Sequence, residues 1–159
     1  MIFSEPSVMQ PSHLARVFSD AGLATAAEAD RLRRELDPSA GLLSRAAAIL
    51  DRRRDELLDA LLDDLAPRLP EARLVGRAFD PAAQAVVPDH DAWDFLVLPV
   101  AFDEDGTLTC VISHDTLSVA LAYLLDQVPH PVRLERAEAG PLEQYIAERY
   151  RYEGISDAA

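Results

Sequence analysis

The three residues best suited to chemistry, Cys110, His114 and Asp115, lie close together in the stretch LVLPVAFDEDGTLTCVISHD, residues 96–115. A thiol beside an imidazole can form a nucleophile–base pair, which requires hydrogen-bonding distance between the two groups. Residues 107–113 have the pattern of a β-strand, and four residues of strand separate Cys110 from His114 by roughly 13 Å. That distance is too long for such a pair. We therefore predict a structural hairpin here, with Asp115 capping the helix that follows.

A second candidate for chemistry is the segment PDHDAW, residues 88–93, which contains an Asp–His–Asp run. With His114 and His130 this run could suggest a metal site. Side chains of adjacent residues diverge, however, and the sequence contains no HExxH or CxxC spacing. We interpret the segment as a solvated loop and the start of a helix, and we predict no metal site.

The basic cluster of the chain is DRRRDE, residues 51–56. Arg52, Arg53 and Arg54 could hold a phosphate or an acidic partner, because guanidinium groups suit both. Acidic residues flank them, and the spacing also allows the ion pairs Asp51–Arg54 and Arg52–Glu56 on a helix surface. Both interpretations stay open, with the self-paired, solvated surface favoured.

Two aromatic residues are further candidates for contact with a partner. Trp93 precedes the first long apolar strand, and Tyr152 follows the last predicted helix. Aromatic side chains are enriched where proteins bind each other. Packing in the core is the competing interpretation for Trp93, and it is the one we expect for Tyr145 and Tyr150.

The composition excludes several classes of function. The chain has 159 residues, is 49% hydrophobic, carries a net charge of −13, and has arginine but no lysine among its 15 cationic side chains. A phosphate-binding loop of the GxxxxGK[ST] type and Schiff-base chemistry both need lysine. The single cysteine cannot form an internal disulfide, and the acidic charge disfavours nucleic acid. No apolar run is long enough for a membrane span and no secretory signal is visible, so we expect a cytoplasmic protein without direct membrane insertion.

The order of elements predicts an α+β fold. Helical periodicity dominates the first half, and the second half has the order β-β-α-β-α, with a three-stranded sheet covered by helices. We divide the chain into a flexible tail (1–11), a helical lobe (12–70), an α/β lobe (71–152) and a second flexible tail (153–159). The segment 72–79 is either a short strand or an extended linker.

The α/β lobe resembles the N-terminal domain of the type II secretion and type IV pilus assembly ATPases. That family has a DP segment ending in proline, a strand reading VLPL, an acidic-Gly turn, a strand ending in Asp-Pro, and a closing helix ending in Ile-x-x-x-Tyr. The matching residues of this chain are Asp80, Pro81, Pro88, Leu98, Pro99, Gly106, Leu108, Asp115, Ile146 and Tyr150. The sequence departs from the pattern at Thr116, where the family has proline.

The resemblance implies a docking function. In the family, this domain binds the cytoplasmic part of a membrane-anchored assembly protein, and the ATPase domain follows it. The given sequence does not include the ATPase domain, so it is either a fragment of a longer protein or a separately encoded relative. For a separately encoded relative, the resemblance implies a non-catalytic adaptor, without a cofactor, that reaches the inner membrane through its protein partner.

A small-ligand sensor is the alternative that the same resemblance implies. Some family members bind cyclic di-GMP through motifs of the form RLGxxLLxxGLL. The stretch HLARVFSDAGLA, residues 13–24, retains part of that pattern but has His13 and Ala15 where the motif has arginine and glycine. A second copy, expected near residue 42, lacks both features.

Overall fold

The structure, a computed structural model, describes residues 8–37 and 41–150. The first half of this described chain is helical, as predicted. Four α-helices follow one another there: α1 (Pro11–Asp20), α2 (Ala26–Glu35), α3 (Leu42–Leu50) and α4 (Arg54–Leu65).

The starts of α1 and α2 show how local sequence sets helix boundaries. At α2, the Thr25 hydroxyl accepts a hydrogen bond from the Glu28 N–H (3.1 Å), and the Glu28 carboxylate accepts one from the Thr25 N–H (2.9 Å). This reciprocal pair is the capping box that the sequence predicts. Helix α1 begins at Pro11, one residue before the predicted helical lobe (12–70), because a proline at the first helical position has no N–H that needs a partner. Its N-cap is Gln10.

The second half of the described chain contains the sheet and four more helices. In chain order these elements are α5 (Pro81–Gln84), α6 (Asp89–Phe95), β2 (Val97–Phe102), β3 (Leu108–Ser113), α7 (Leu117–Gln127), β4 (Val132–Ala137) and α8 (Ala139–Arg149). Short 3₁₀ turns follow α4 and precede α7.

The sheet has four strands within the described residues, in the order β1-β4-β3-β2. Strands β2 and β3 form the predicted antiparallel hairpin, and α7 connects β3 to β4, which pair in parallel. The α+β class and the order from β2 to α8 are therefore confirmed. The predicted number of three strands is wrong.

The additional strand is β1 (Val8–Met9), which pairs antiparallel with β4. We had assigned residues 1–11 to a flexible tail, and this is incorrect for residues 8–11, which form β1 and the start of α1. A two-residue strand is too short to show periodicity, and it exists because β4 supplies its hydrogen-bonding partners and the core buries Met9. Residues 1–7 and the predicted tail 153–159 lie outside the described residues.

The outer strand β2 carries the irregularity that Pro99 predicts. Its pairing register with β3 shifts between Pro99 and Ala101, which marks a β-bulge. On the other side of β2, the Asp80 N–H donates to the Val100 carbonyl (2.8 Å), so the segment before α5 covers part of this edge. The segment 72–79 does not form a strand and is an extended connection.

One continuous core joins the two halves. Buried apolar side chains of the four N-terminal helices, of the sheet and of α8 belong to the same cluster. Fully buried examples are Phe18, Leu61, Ile112 and Ile146. Helix α7 contacts β3 as well as α3 and α4, so it lies between the helical half and the sheet. The division of the chain at residue 70 stays a prediction.

Candidate functional site

The three residues that opened the sequence analysis do not meet. Cys110 lies in the middle of β3, fully buried between Pro99 of β2 and Leu134 of β4. Burial raises the pKa of the Cys110 thiol far above its usual range, which disfavours the reactive thiolate. His114 and Asp115 are exposed in the turn beyond the strand. This arrangement does not form a nucleophile–base pair.

Asp115 does not have the capping role that we predicted. At this turn it is the Ser113 hydroxyl that accepts a backbone hydrogen bond, from the N–H of Asp115 (3.2 Å). Helix α7 begins two residues after Asp115, and its N-cap is Thr116. A 3₁₀ turn between strand and helix displaces the cap by one residue, which the sequence pattern did not reveal.

The segment 88–93 starts helix α6, as predicted. His90 Nε2 lies 3.1 Å from Asp91 Oδ1, and the second Asp91 oxygen accepts a hydrogen bond from the Tyr123 hydroxyl (2.9 Å). Within residues 8–37 and 41–150, no group of three or more His, Cys, Asp or Glu side chains is placed to hold a metal ion.

The three candidate arginines make different contacts. Arg52 donates to the carbonyl of Leu23 (2.8 Å) and approaches Glu56 (3.5 Å), the ion pair that its spacing predicts. Arg54 donates to Asp126 of α7 (2.5 Å), so the predicted Asp51–Arg54 pair is wrong. Its absence follows from Asp51, which ends α3 in the left-handed conformation (φ 51°), so that one helix surface does not carry both residues.

Arg53 is the most exposed member of this basic cluster, with 79% of its side chain accessible and Asp55 3.4 Å away. Its two neighbours are directed to separate contacts in the fold, with the Leu23 carbonyl and with Asp126. The binding of a phosphate or an acidic partner by Arg52, Arg53 and Arg54 stays a prediction.

The two aromatic candidates have different outcomes. Trp93 is partly buried on α6 and packs against the core, as do the neighbouring Phe95 and the stacked Tyr123 ring. Tyr150 is buried and donates its hydroxyl to the Gln84 carbonyl (2.8 Å), so its predicted packing is confirmed. Tyr152 lies outside the described residues, and its contact role stays a prediction.

An open groove of about 780 Å³ lies where the parallel strands β3 and β4 end. It is lined by residues drawn from the segments 71–75, 113–115 and 136–141, together with Tyr145. Parallel strands end at the same edge of a sheet, and helix α8 begins at that edge, so the topology creates the depression.

A rigid turn at one side of this groove exposes an aliphatic side chain. Val75 is 90% exposed, at the second position of a turn closed by a hydrogen bond from the Arg77 N–H to the Leu74 carbonyl (3.2 Å). The third position is Gly76, with φ +73°, a conformation that suits glycine in this kind of turn.

Arg77 fixes this turn to the sheet. Its guanidinium group donates to both carboxylate oxygens of Glu135 on β4 (2.5 and 3.1 Å), and both side chains are largely shielded from water. A bidentate pair restrains both position and orientation. The exposure of Val75 is therefore a fixed feature of the surface.

The groove has an excess of negative charge. Glu71, Asp115 and Glu138 contribute carboxylates, whereas Arg136 contributes the single guanidinium group among its described lining residues. Arg136 lies 3.8 Å from Glu71, which balances it in part. Asp115 and Glu138 form no ion pair with another described residue.

Sequence reasoning did not identify this groove. Val75 is more than sixty positions before Glu138 and Tyr145 in the chain, and none of the three belongs to a motif. One signal was available: in RLVGR, a valine directly before glycine in a segment without strand pairing suggests an exposed turn.

Comparison with known proteins gives two solved structures of interest. The alignment with the solved structure of MshE with cdg has a TM-score of 0.47 and 20% sequence identity, and it covers 86% of this chain and 98% of that chain. The alignment with the N-terminal domain of XpsE has a TM-score of 0.40 and 15% sequence identity, and it covers 95% of this chain and 100% of that chain. Both matches are of the kind that the sequence resemblance leads us to expect.

This similarity is modest and carries no conclusion about what the present chain binds. No family model matches the sequence, and no curated protein matches it. In the described ranges, no helix is long and apolar enough to cross a membrane.

Proposed function

We propose that this chain is a non-catalytic docking or adaptor domain of a type II secretion or type IV pilus-like machine. The observation that supports docking is the groove at the ends of β3 and β4, with its fixed, exposed Val75. Exposed aliphatic side chains beside a polar-rimmed depression are typical of protein interaction sites. The type of machine is taken from the sequence resemblance of residues 71–152.

The partner that we propose is the cytoplasmic part of a membrane-anchored assembly protein. The chain would then act in the cytoplasm and reach the inner membrane through this partner. The net charge of −13 favours a protein partner with a basic surface. Nucleic acid and anionic lipid are disfavoured as partners, because they carry charge of the same sign as this chain.

Absence of catalysis is part of the proposal. The buried Cys110 thiol and the exposed His114 do not converge, and the sequence has no lysine for a phosphate-binding loop. Purified protein should therefore release no phosphate from ATP or GTP above a buffer blank. Phosphate release that co-purifies with the protein through successive chromatography steps would contradict the absence of catalysis.

Titration calorimetry with the purified cytoplasmic domain of the assembly protein from the same genome tests the docking function. We expect saturable binding that Val75→Ser weakens about tenfold, since a hydroxyl replaces an apolar contact without a change in the charge of the groove. Val119→Ser is the matched control, because Val119 is 50% exposed on α7 and is not a groove residue. Absence of binding, or equal losses in both variants, would reject this function for the groove.

The cyclic di-GMP sensor remains a sequence prediction, and the same instrument tests it. Arg52 and Arg54 are engaged in contacts of the fold, so a ligand would have to compete with the Leu23 carbonyl or with Asp126. Binding of cyclic di-GMP with a micromolar dissociation constant, lost in an Arg53→Ala variant that keeps its fold, would favour the sensor.

A further inference from the structure

We infer that the groove binds a short extended segment of its protein partner that carries an aliphatic side chain next to an arginine or lysine. This inference rests on the proposed docking function and specifies the chemistry of the partner. Three properties of the groove lead to it: the apolar contact that it offers, the sign of its charge, and the sheet edge that is already occupied.

The apolar contact centres on Val75. Leu74, Ala137, Pro141 and the ring of Tyr145 line the same groove, so an incoming aliphatic side chain would meet apolar groups on more than one side. The Tyr145 ring is itself packed, because the Phe79 ring lies 6.1 Å away between centroids and the Arg149 guanidinium group lies 5.4 Å from the centroid of the Tyr145 ring. The apolar contact surface therefore exists before binding, which reduces the entropy lost on association.

The charge of the groove selects a basic segment. Three carboxylates oppose one guanidinium group, which leaves an excess of two negative charges. The start of α8 contributes the opposite sign, but a helix N-terminus is equivalent to only about half a positive charge. Glu138, the N-cap residue of α8, lies directly at that end and offsets it. A cation is therefore attracted and an acidic segment is repelled.

The sheet edge beside the groove is occupied, which restricts how the segment can bind. The Ala72 N–H donates to the Arg136 carbonyl (2.8 Å), and the Arg136 N–H donates to the Pro70 carbonyl (2.8 Å). These bonds occupy the backbone N–H and carbonyl groups of Arg136 at the edge of β4. The partner segment therefore cannot pair with β4 there as a further strand. It must be held by its side chains, and a groove of about 780 Å³ accommodates only a few of them.

Selection from a library of random nine-residue peptides displayed on phage, with the full chain as the immobilised target, tests this inference. We expect enriched peptides to contain an aliphatic residue adjacent to arginine or lysine. Synthetic versions should bind the Val75→Ser variant about tenfold more weakly, because the apolar contact is lost while the charge of the groove is unchanged. Their affinity for Val119→Ser should stay unchanged.

A second pair of variants isolates the charge. Glu138→Gln should weaken the selected peptides about threefold to tenfold and reduce the salt dependence of binding, because one carboxylate is lost. Glu143→Gln, an exposed glutamate on the same helix, should leave both unchanged. Enrichment of acidic peptides, absence of enrichment, or binding that is unchanged in Val75→Ser would each overturn the inference.

The two proposals can fail separately. If the assembly protein binds at Val75 while the library returns acidic or no peptides, the docking function stands and the basic-segment inference is wrong. If basic aliphatic peptides bind the groove while the assembly protein does not bind the chain, the groove chemistry stands and the proposed machine is wrong.

Discussion

The carboxylate of Asp126, near the end of α7, caps the N-terminus of α3 by accepting hydrogen bonds from the backbone N–H of Ser44 (2.9 Å) and from its hydroxyl (2.8 Å). Helix α3 has Gly41 as its N-cap, which offers no side chain for this purpose. The cap is therefore supplied by a residue 82 positions away in the sequence. Arg54 of α4 donates to the same carboxylate, so Asp126 joins three helices.

Removal of this carboxylate should destabilise the fold. We expect Asp126→Ala to lower the free energy of unfolding by about 2 kcal/mol, because a helix cap and a charge-assisted hydrogen bond are lost together. Urea denaturation followed by circular dichroism measures this. Asp59→Ala, at an exposed position of α4, is the control and should stay within about 0.5 kcal/mol of the parent. Equal losses in both variants would show that the contact has no special role.

The left-handed conformation of Gly76 should make alanine unfavourable there. Gly76 has φ +73°, so Gly76→Ala should lower the free energy of unfolding by about 1 kcal/mol, the cost of a left-handed conformation for an L-residue. Val75→Ala, at the neighbouring and 90% exposed position, is the control and should stay within about 0.5 kcal/mol of the parent. Thermal and urea unfolding measure both variants, and equal effects would contradict the described turn.

Stability should fall in mild acid because of His13. This buried residue of α1 has its pKa lowered from 6.5 to about 4, first by burial and then by the charge of Arg16; Arg68 acts the same way, and the nearby Asp64 opposes them. Between about pH 6.5 and pH 4, His13 therefore binds a proton in the unfolded state but not in the folded state. The stabilising contribution is present above about pH 6.5 and is lost as the pH falls towards 4, by roughly 3 kcal/mol in total.

Replacement of His13 tests this dependence. His13→Gln should show a smaller decrease in the free energy of unfolding between pH 6.5 and 4.5 than the parent, whatever its stability at neutral pH. Ser12→Ala, at an exposed position of the same helix, is the control and should retain the slope of the parent. An unchanged slope in His13→Gln would mean that carboxylates alone cause the acid sensitivity.

The Cys110 thiol should be inert in the folded protein. Burial raises its pKa, and the strand pairs on both sides leave no access for a reagent. We expect no reaction with a chromogenic disulfide at pH 8 in native buffer and reaction of one thiol per chain in denaturing urea. Rapid reaction of the native protein would reopen the interpretation of Cys110 as a functional residue.

Local patterns predicted much of the secondary structure. The Thr25–Glu28 spacing gave the start of α2, Asp80–Pro81 gave the start of α5, and Pro99 marked the irregular strand. In each case, the hydrogen bond or steric restriction that decides the conformation acts within four residues. Such signals are readable because the partners are close in the sequence.

Two of the errors involve partners that are distant in the sequence. Strand β1 depends on β4, more than a hundred residues later, and two residues alone carry no pattern. Arg54 had an acidic residue three positions away, but the chain turns at Asp51 and brings Asp126 closer. Geometry created by packing decided both outcomes.

By itself, the sequence determined the α+β class, the element order from β2 to α8, the lack of lysine and the excess of acidic charge, because these depend on composition and on short-range periodicity. Only the tertiary structure decided that Cys110 is shielded, that Asp126 caps α3, and that Val75 lies beside Glu138 and Tyr145 in one groove. Those relationships arise when parallel strands end at a common edge, which places residues from separate segments next to each other.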